Sequence, residues 1–147
     1  MRSGINEDKV ILAKAAQAAG QTAINSDVID TAGAESVEFL VVWGAITAGG
    51  VQSVKLQQGK LSDLSDSADL AGSSQAVADT DDNKITRAEI IRPQERYVRA
   101  VVSRATQDSV VSAIIAILRF PRVKPIAQHS TIQGTPEVHV SPDEGTA

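Results

Sequence analysis

The chain has 147 residues, a formal net charge of −4 and no cysteine, and only 3% of its residues are aromatic. That length supports one domain with a substantial core and leaves no room for a second of ordinary size. The missing cysteines exclude a disulfide framework, thiolate zinc sites and a cysteine nucleophile, and the acidic balance argues against a chain that binds polyanions.

Met1 to Asp8 is polar, with no basic stretch leading into a long apolar one, so no secretory signal is expected. No apolar run approaches the roughly 20 residues of a membrane-spanning helix. These features lead to the expectation of a soluble protein made in the cytoplasm, with no membrane partner. Val10 to Gly20 (VILAKAAQAAG) reads two ways: its alanines favour helix, whereas Val10-Ile11-Leu12 can open a strand. Residues 1–22 are therefore assigned to an N-terminal arm or first strand.

From Ala23 onward the pattern is β. Ile24 to Thr31 is a candidate strand closed by Ala32-Gly33. Ser36 to Trp43 (SVEFLVVW) is rich in β-branched and aromatic residues, with Phe39, Val41 and Trp43 on one face and Leu40 and Val42 on the other. Trp43 reads as core, with a sugar-stacking platform as the alternative. Gly49-Gly50 marks a turn, and Val51 to Gln58 alternates as a half-buried strand.

Leu61 to Asn83 breaks the alternation. It is rich in Ser, Asp and Gly and holds no Lys or Arg, so it reads as a long surface excursion with a short strand near Gln75 to Ala78. Asp79-Thr80-Asp81-Asp82-Asn83 matches the first half of a calcium loop. Lys84 stands where the glycine belongs, however, and Ile90 where the bidentate glutamate belongs, so an acidic turn ahead of a strand is the better reading. No cofactor or metal is expected.

Three strong strands follow: Lys84 to Ile91, Arg96 to Arg104 and Ser109 to Phe120. Arg92-Pro93-Gln94-Glu95 joins the first pair, and Ala105 to Asp108 joins the second as a hairpin loop. The last strand is apolar on both faces, with Val111, Ala113, Ile115 and Ile117 against Val110, Ile114, Ala116 and Leu118. Such a strand is central in a sandwich or covered by a neighbouring subunit. After Phe120, prolines punctuate a polar segment, and residues 124–147 are expected as an extended C-terminal arm. The domain proper is assigned to 23–123, an all-β fold expected as a single β-sandwich of jelly-roll type with extended termini.

Candidate chemistry concentrates on arginine. Arg87, Arg92, Arg96, Arg99 and Arg104 surround Tyr97, with Arg122 and Lys124 close behind in sequence. A solvated sheet face paired to Glu89 and Glu95 is one reading, and an interface to an acidic protein surface is another. Nucleic acid is disfavoured by the single interleaved tyrosine and the net charge. The only histidines, His129 and His139, lie in the expected tail, a poor place to hold a catalytic base, so no enzyme is expected.

The phrases DLAGSSQAVADTDDNK, IIRPQERYVRAVVSRAT and VVSAIIAILRFPRVKPI, with VKLQQGKLSDLSDSADL before them and VSPDEGTA at the end, resemble small virion proteins encoded among the head genes of tailed bacteriophages. The resemblance covers about two thirds of the chain and carries no catalytic signature. It implies a capsid decoration (cement) protein: a trimer or dimer on the capsid surface, made in the host cytoplasm, that bridges major capsid subunits and clasps neighbours with its termini. On that reading the interface is expected at Arg92, Arg96, Tyr97, Arg99, Arg122 and Lys124. Alternatives are a neck, tail or head-fibre base protein, or a displayed carbohydrate- or receptor-binding module.

Overall fold

A computed structural model describes residues 3–141 and 144–145. The extreme ends of both expected arms, Pro142 included, lie outside the described residues. A short helix, α1 (Gly4–Glu7), leads into β1 (Lys9–Lys14), β2 (Gln17–Gly20), β3 (Ile24–Asn25), β4 (Ile29–Asp30), β5 (Ser36–Ile46) and β6 (Val51–Gly59). After these come β7 (Ala68–Asp69), β8 (Gln75–Val77), β9 (Ile85–Ile91), β10 (Tyr97–Ala105) and β11 (Ser109–Arg119). The ambiguous segment after Asp8 is thus strand, as β1 and β2.

Two antiparallel sheets face each other as a β-sandwich. The first runs β1-β11-β5-β9, with β2 also on β11; the second runs β3-β10-β6-β7, with β4 also on β10 and β8 also on β6. Period-two alternation builds the layer between them. Val37, Phe39, Val41 and Trp43 of β5 meet Val54 and Leu56 of β6 and Val98, Ala100 and Val102 of β10 in one buried cluster. Trp43 is 2% exposed, and its indole N–H donates to Thr86 Oγ1 at 2.9 Å. It is core, and no face of it is open to a sugar.

Several sequence expectations need correction. Ala105 to Asp108 is not a hairpin loop: β10 and β11 lie in different sheets, so these residues form an arch between layers. The arch is held by the Thr47 N–H donating to the Asp108 carbonyl and by Gln21 donating to the Asp108 carboxylate. The expected strand from Ile24 to Thr31 is two short ladders. They are separated where Ser26 exchanges bonds with Ala100 of the second sheet and the Asp27 N–H turns to the Ala13 carbonyl of the first. Val111 also changes face. The β11–β5 register shifts on both sides of it, so Val111 points inward with Ile114, Ala116 and Leu118. Opposite that bulge, a Cβ on Gly44 would lie 2.8 Å from Val110 Cγ1, so only glycine fits there.

The acidic excursion is more tightly stitched than an open loop. Leu64 is buried in its own turn and Val77 joins the core. Asp66 accepts the Lys60 and Leu61 N–H groups, Asp63 accepts that of Ser65, and Asp69 takes Lys55 and Gln57. These contacts hold all three carboxyls below the ordinary aspartate range. The half-matched calcium loop is a turn. Asp79 accepts the Gly49 N–H, and Asp81 accepts the Ala78 N–H and Lys84 Nζ.

The start of the expected C-terminal arm is laid along its own domain. Gln128 bridges the Val10 N–H to the carbonyls of Ile5 and Asp8, and Thr131 Oγ1 accepts the Leu12 N–H. These bonds cap the outer edge of β1.

Candidate interface at one end of the sandwich

The loops joining β4 to β5 (31–35) and β9 to β10 (92–96) meet the chain leaving β11 at one end of the sandwich. Arg92, Arg96 and Arg122, drawn from the last two of these segments, line one cleft of about 550 Å³ with Glu35, Glu95 and Pro93. Backbone bonds fix this geometry: the Arg92 N–H donates to the Glu35 carbonyl at 2.7 Å, and the Arg122 N–H to the Gly33 carbonyl at 2.9 Å.

The six expected interface residues do not act as one patch. Arg96 makes a two-pronged ion pair with Asp30, both contacts at 2.8 Å, and lies over the Tyr97 ring at 5.2 Å. This pair holds the Asp30 carboxyl low and pushes the Arg96 guanidinium higher still. Arg99 sits on the outer face of the second sheet, bonded to Gln57 and Ser67. Lys124 pairs with Glu7 at 3.4 Å. Arg92 and Arg122 have no ion pair or side-chain hydrogen bond among the described residues, so their guanidinium donors are uncommitted.

The cross-strand pairing expected with Glu89 and Glu95 goes elsewhere. Arg87 and Arg119 both bind Glu38, whose side chain is 4% exposed, and Arg119 reaches on to Asp8. Burial raises the Glu38 pKa, but the two guanidiniums outweigh it and hold the carboxyl below its ordinary value. Arg104 is not a surface residue at all. It is 8% exposed and donates to the carbonyls of Thr22, Ala18 and Ser109 at the opposite end of the sandwich.

Apolar neighbours of the cleft were not legible as site residues. Ile91 (70% exposed), Phe120 (61%) and Val123 (77%) stand at the same end, where Ser36 is flanked across the sheet by Ile91 and Arg119. Phe120 was expected inside a strand, but the strand stops one residue earlier. Arg92 and Phe120 both adopt left-handed backbone, with φ of 52° and 54°. This conformation is uncommon outside glycine and costs on the order of 1–2 kcal/mol. Both side chains are exposed to solvent. The signal available in sequence was Pro121, which has no N–H to continue a ladder.

No family model, curated protein or solved structure matches the chain. His129 contacts Thr131 and His139 contacts Glu137; neither is bonded to a serine among the described residues. The cleft combines two guanidiniums without ion pairs among the described residues with the carboxylates of Glu35 and Glu95, and exposed apolar side chains stand nearby, a mixed composition of the kind found at protein interfaces.

Proposed function

We propose that this chain is a structural protein of a tailed-phage particle, one that binds the outside of the assembled capsid and stabilises it by bridging major capsid subunits. The observation that carries this reading is the loop end, where Arg92 and Arg122, without ion pairs among the described residues, stand beside exposed Phe120 and Val123. Arginine and aromatic anchors are the residues that dominate protein interfaces.

The strand order supports the same reading. With β1 and β2, β3 and β4, and β7 and β8 each taken as one interrupted strand, the chain has eight strands. The first, last, third and sixth form one sheet, and the second, seventh, fourth and fifth form the other. We read this as a jelly roll, an architecture common among viral shell proteins. Fold alone does not assign function.

In this mechanism each copy seats its loop end across a seam between capsid subunits. Arg92 and Arg122 pair with acidic side chains there, while Phe120 and Val123 leave water. An interface of roughly 1,600 Å² in total, repeated over the lattice, raises the free energy of opening every seam. Arg96 and Arg99, already engaged within the domain, shape the surface, and Lys124 fixes where the chain departs.

Co-sedimentation with assembled shells of the particle tests the assignment. The double substitution Arg92→Ala and Arg122→Ala should lower occupancy about tenfold or more, equivalent to about 1.4 kcal/mol, while the thermal midpoint stays unchanged. Undiminished occupancy would remove this surface from the mechanism.

A further inference from the structure

We infer that β9 is a self-pairing edge, through which two copies of this chain form a two-fold dimer with one continuous sheet. The inference is independent of the capsid reading.

Among the described residues, β9 is the one long open edge. The outer edge of β1 is capped by Gln128 and Thr131, β2 on the same side spans four residues, and the edge strands of the second sheet, β3, β4, β7 and β8, span only two or three residues each. Seven residues of β9 pair with β5 on one side only. Two bonds fix which backbone groups point outward: the Trp43 N–H donates to the Lys84 carbonyl, and the Arg92 N–H to the Glu35 carbonyl. The alternation between them turns the even-numbered residues of β9 toward β5. Ile85, Arg87, Glu89 and Ile91 therefore direct their N–H and C=O groups away from the sheet. Of these, the Arg87 carbonyl is taken by the Gln75 side chain at 2.9 Å. A partner strand replaces that single contact by one side-chain rotation.

The side chains on this edge are complementary to themselves. Antiparallel pairing about an axis through Ala88 sets Arg87 opposite the partner's Glu89, Glu89 opposite the partner's Arg87, and Ile85 opposite the partner's Ile91. Ile85 and Ile91 are 56% and 70% exposed in the isolated chain, and the pairing covers both. Arg87 keeps its contact with Glu38 and has a further guanidinium nitrogen for the partner. Glu89 receives the Ser36 hydroxyl on one oxygen and retains the other. A one-residue slip would lose the backbone parity. A two-residue slip would keep parity but set Arg87 opposite Arg87 or Glu89 opposite Glu89, so this register is favoured over its neighbours. Ala88, small and turned inward, allows the close approach at the axis.

Analytical ultracentrifugation over a broad concentration series, on the full chain, is the first test, with a reversible dimer expected. Ile91→Lys changes an exposed side chain at both symmetry-related pairs, so it should weaken the dimer about tenfold or more without altering the monomer's circular dichroism. Because the chain has no cysteine, register can be tested directly. At the axis, Ala88 faces its own copy at about 4.5 Å between Cα atoms, within reach of a disulfide. Ala88→Cys should cross-link on oxidation, and Glu89→Cys should not. A chain that is monomeric at every concentration overturns the proposal. So does a dimer that Ile91→Lys leaves intact, or equal cross-linking by the two cysteine variants.

Discussion

Glu38 is the buried acidic side chain among the described residues, and Glu38→Gln tests how the first sheet is held. Its carboxylate is covered by the guanidiniums of Arg87 and Arg119, whose side chains are 66% and 30% exposed. A hydrogen bond to a charged group contributes about 1.5–3 kcal/mol when shielded, and far less when one partner is solvated. The Arg119 contact is therefore taken as about 1.5 kcal/mol and the Arg87 contact as about 0.5 kcal/mol. Glutamine keeps the shape but removes the charge that both guanidiniums bind and turns a donor toward one of them, so the loss at pH 7 is expected near about 2 kcal/mol. That corresponds to a thermal midpoint lower by roughly 4–8 °C for a chain of this size. The pH dependence carries a sign. The folded-state pKa is lowered below the ordinary glutamate value of 4.5, so the contribution is fully present above that pH. It is lost as pH falls through 4.5 toward the folded value. Urea titrations of both proteins at pH 7 and at a series of lower pH values should show the stability gap closing on acidification. A gap below 0.5 kcal/mol at pH 7, or one that does not change with pH, would refute the reasoning.

Three further outcomes are expected. Arg104→Ala strips the donors from three carbonyls, one of them buried with Ser109, and should cost about 3–5 kcal/mol by urea denaturation; a loss under 1 kcal/mol would mean that solvent replaces the guanidinium freely. Gln52→Met should stabilise the fold by about 1–2 kcal/mol, because both polar atoms of the Gln52 amide are buried without a protein partner; destabilisation would show that the amide is hydrogen-bonded through water. Arg92→Gly and Phe120→Gly should leave the thermal midpoint unchanged or slightly raised, since glycine accepts left-handed backbone, and both should weaken shell binding; a lowered midpoint would make these side chains structural.

The β character and most strand positions were legible because buried residues recur at every second position. Phe39, Val41 and Trp43 point inward as that period requires. The same period places Arg104 on the inward face with Val98, Ala100 and Val102, so its burial was readable; its charge and its place among other arginines hid it. Two features were not readable. A four-residue link serves a hairpin or an arch equally well, and only tertiary pairing assigns β10 and β11 to different sheets. The register shift that turns Val111 inward is also silent, because apolar residues occupy both faces of β11 and either register satisfies the pattern. The candidate site was half legible: the arginines were apparent, but Asp30, Gln57 and Glu7, which neutralise or bind Arg96, Arg99 and Lys124, are distant in sequence.

Whether this chain coats the capsid is decided by its density on the intact particle, from electron cryo-microscopy combined with copy number from quantitative gel analysis. Hundreds of copies are expected on the outer shell, with Arg92, Phe120 and Arg122 against the seams between capsid subunits. Density confined to the neck or tail at a dozen copies or fewer, or a loop end facing solvent, would contradict it.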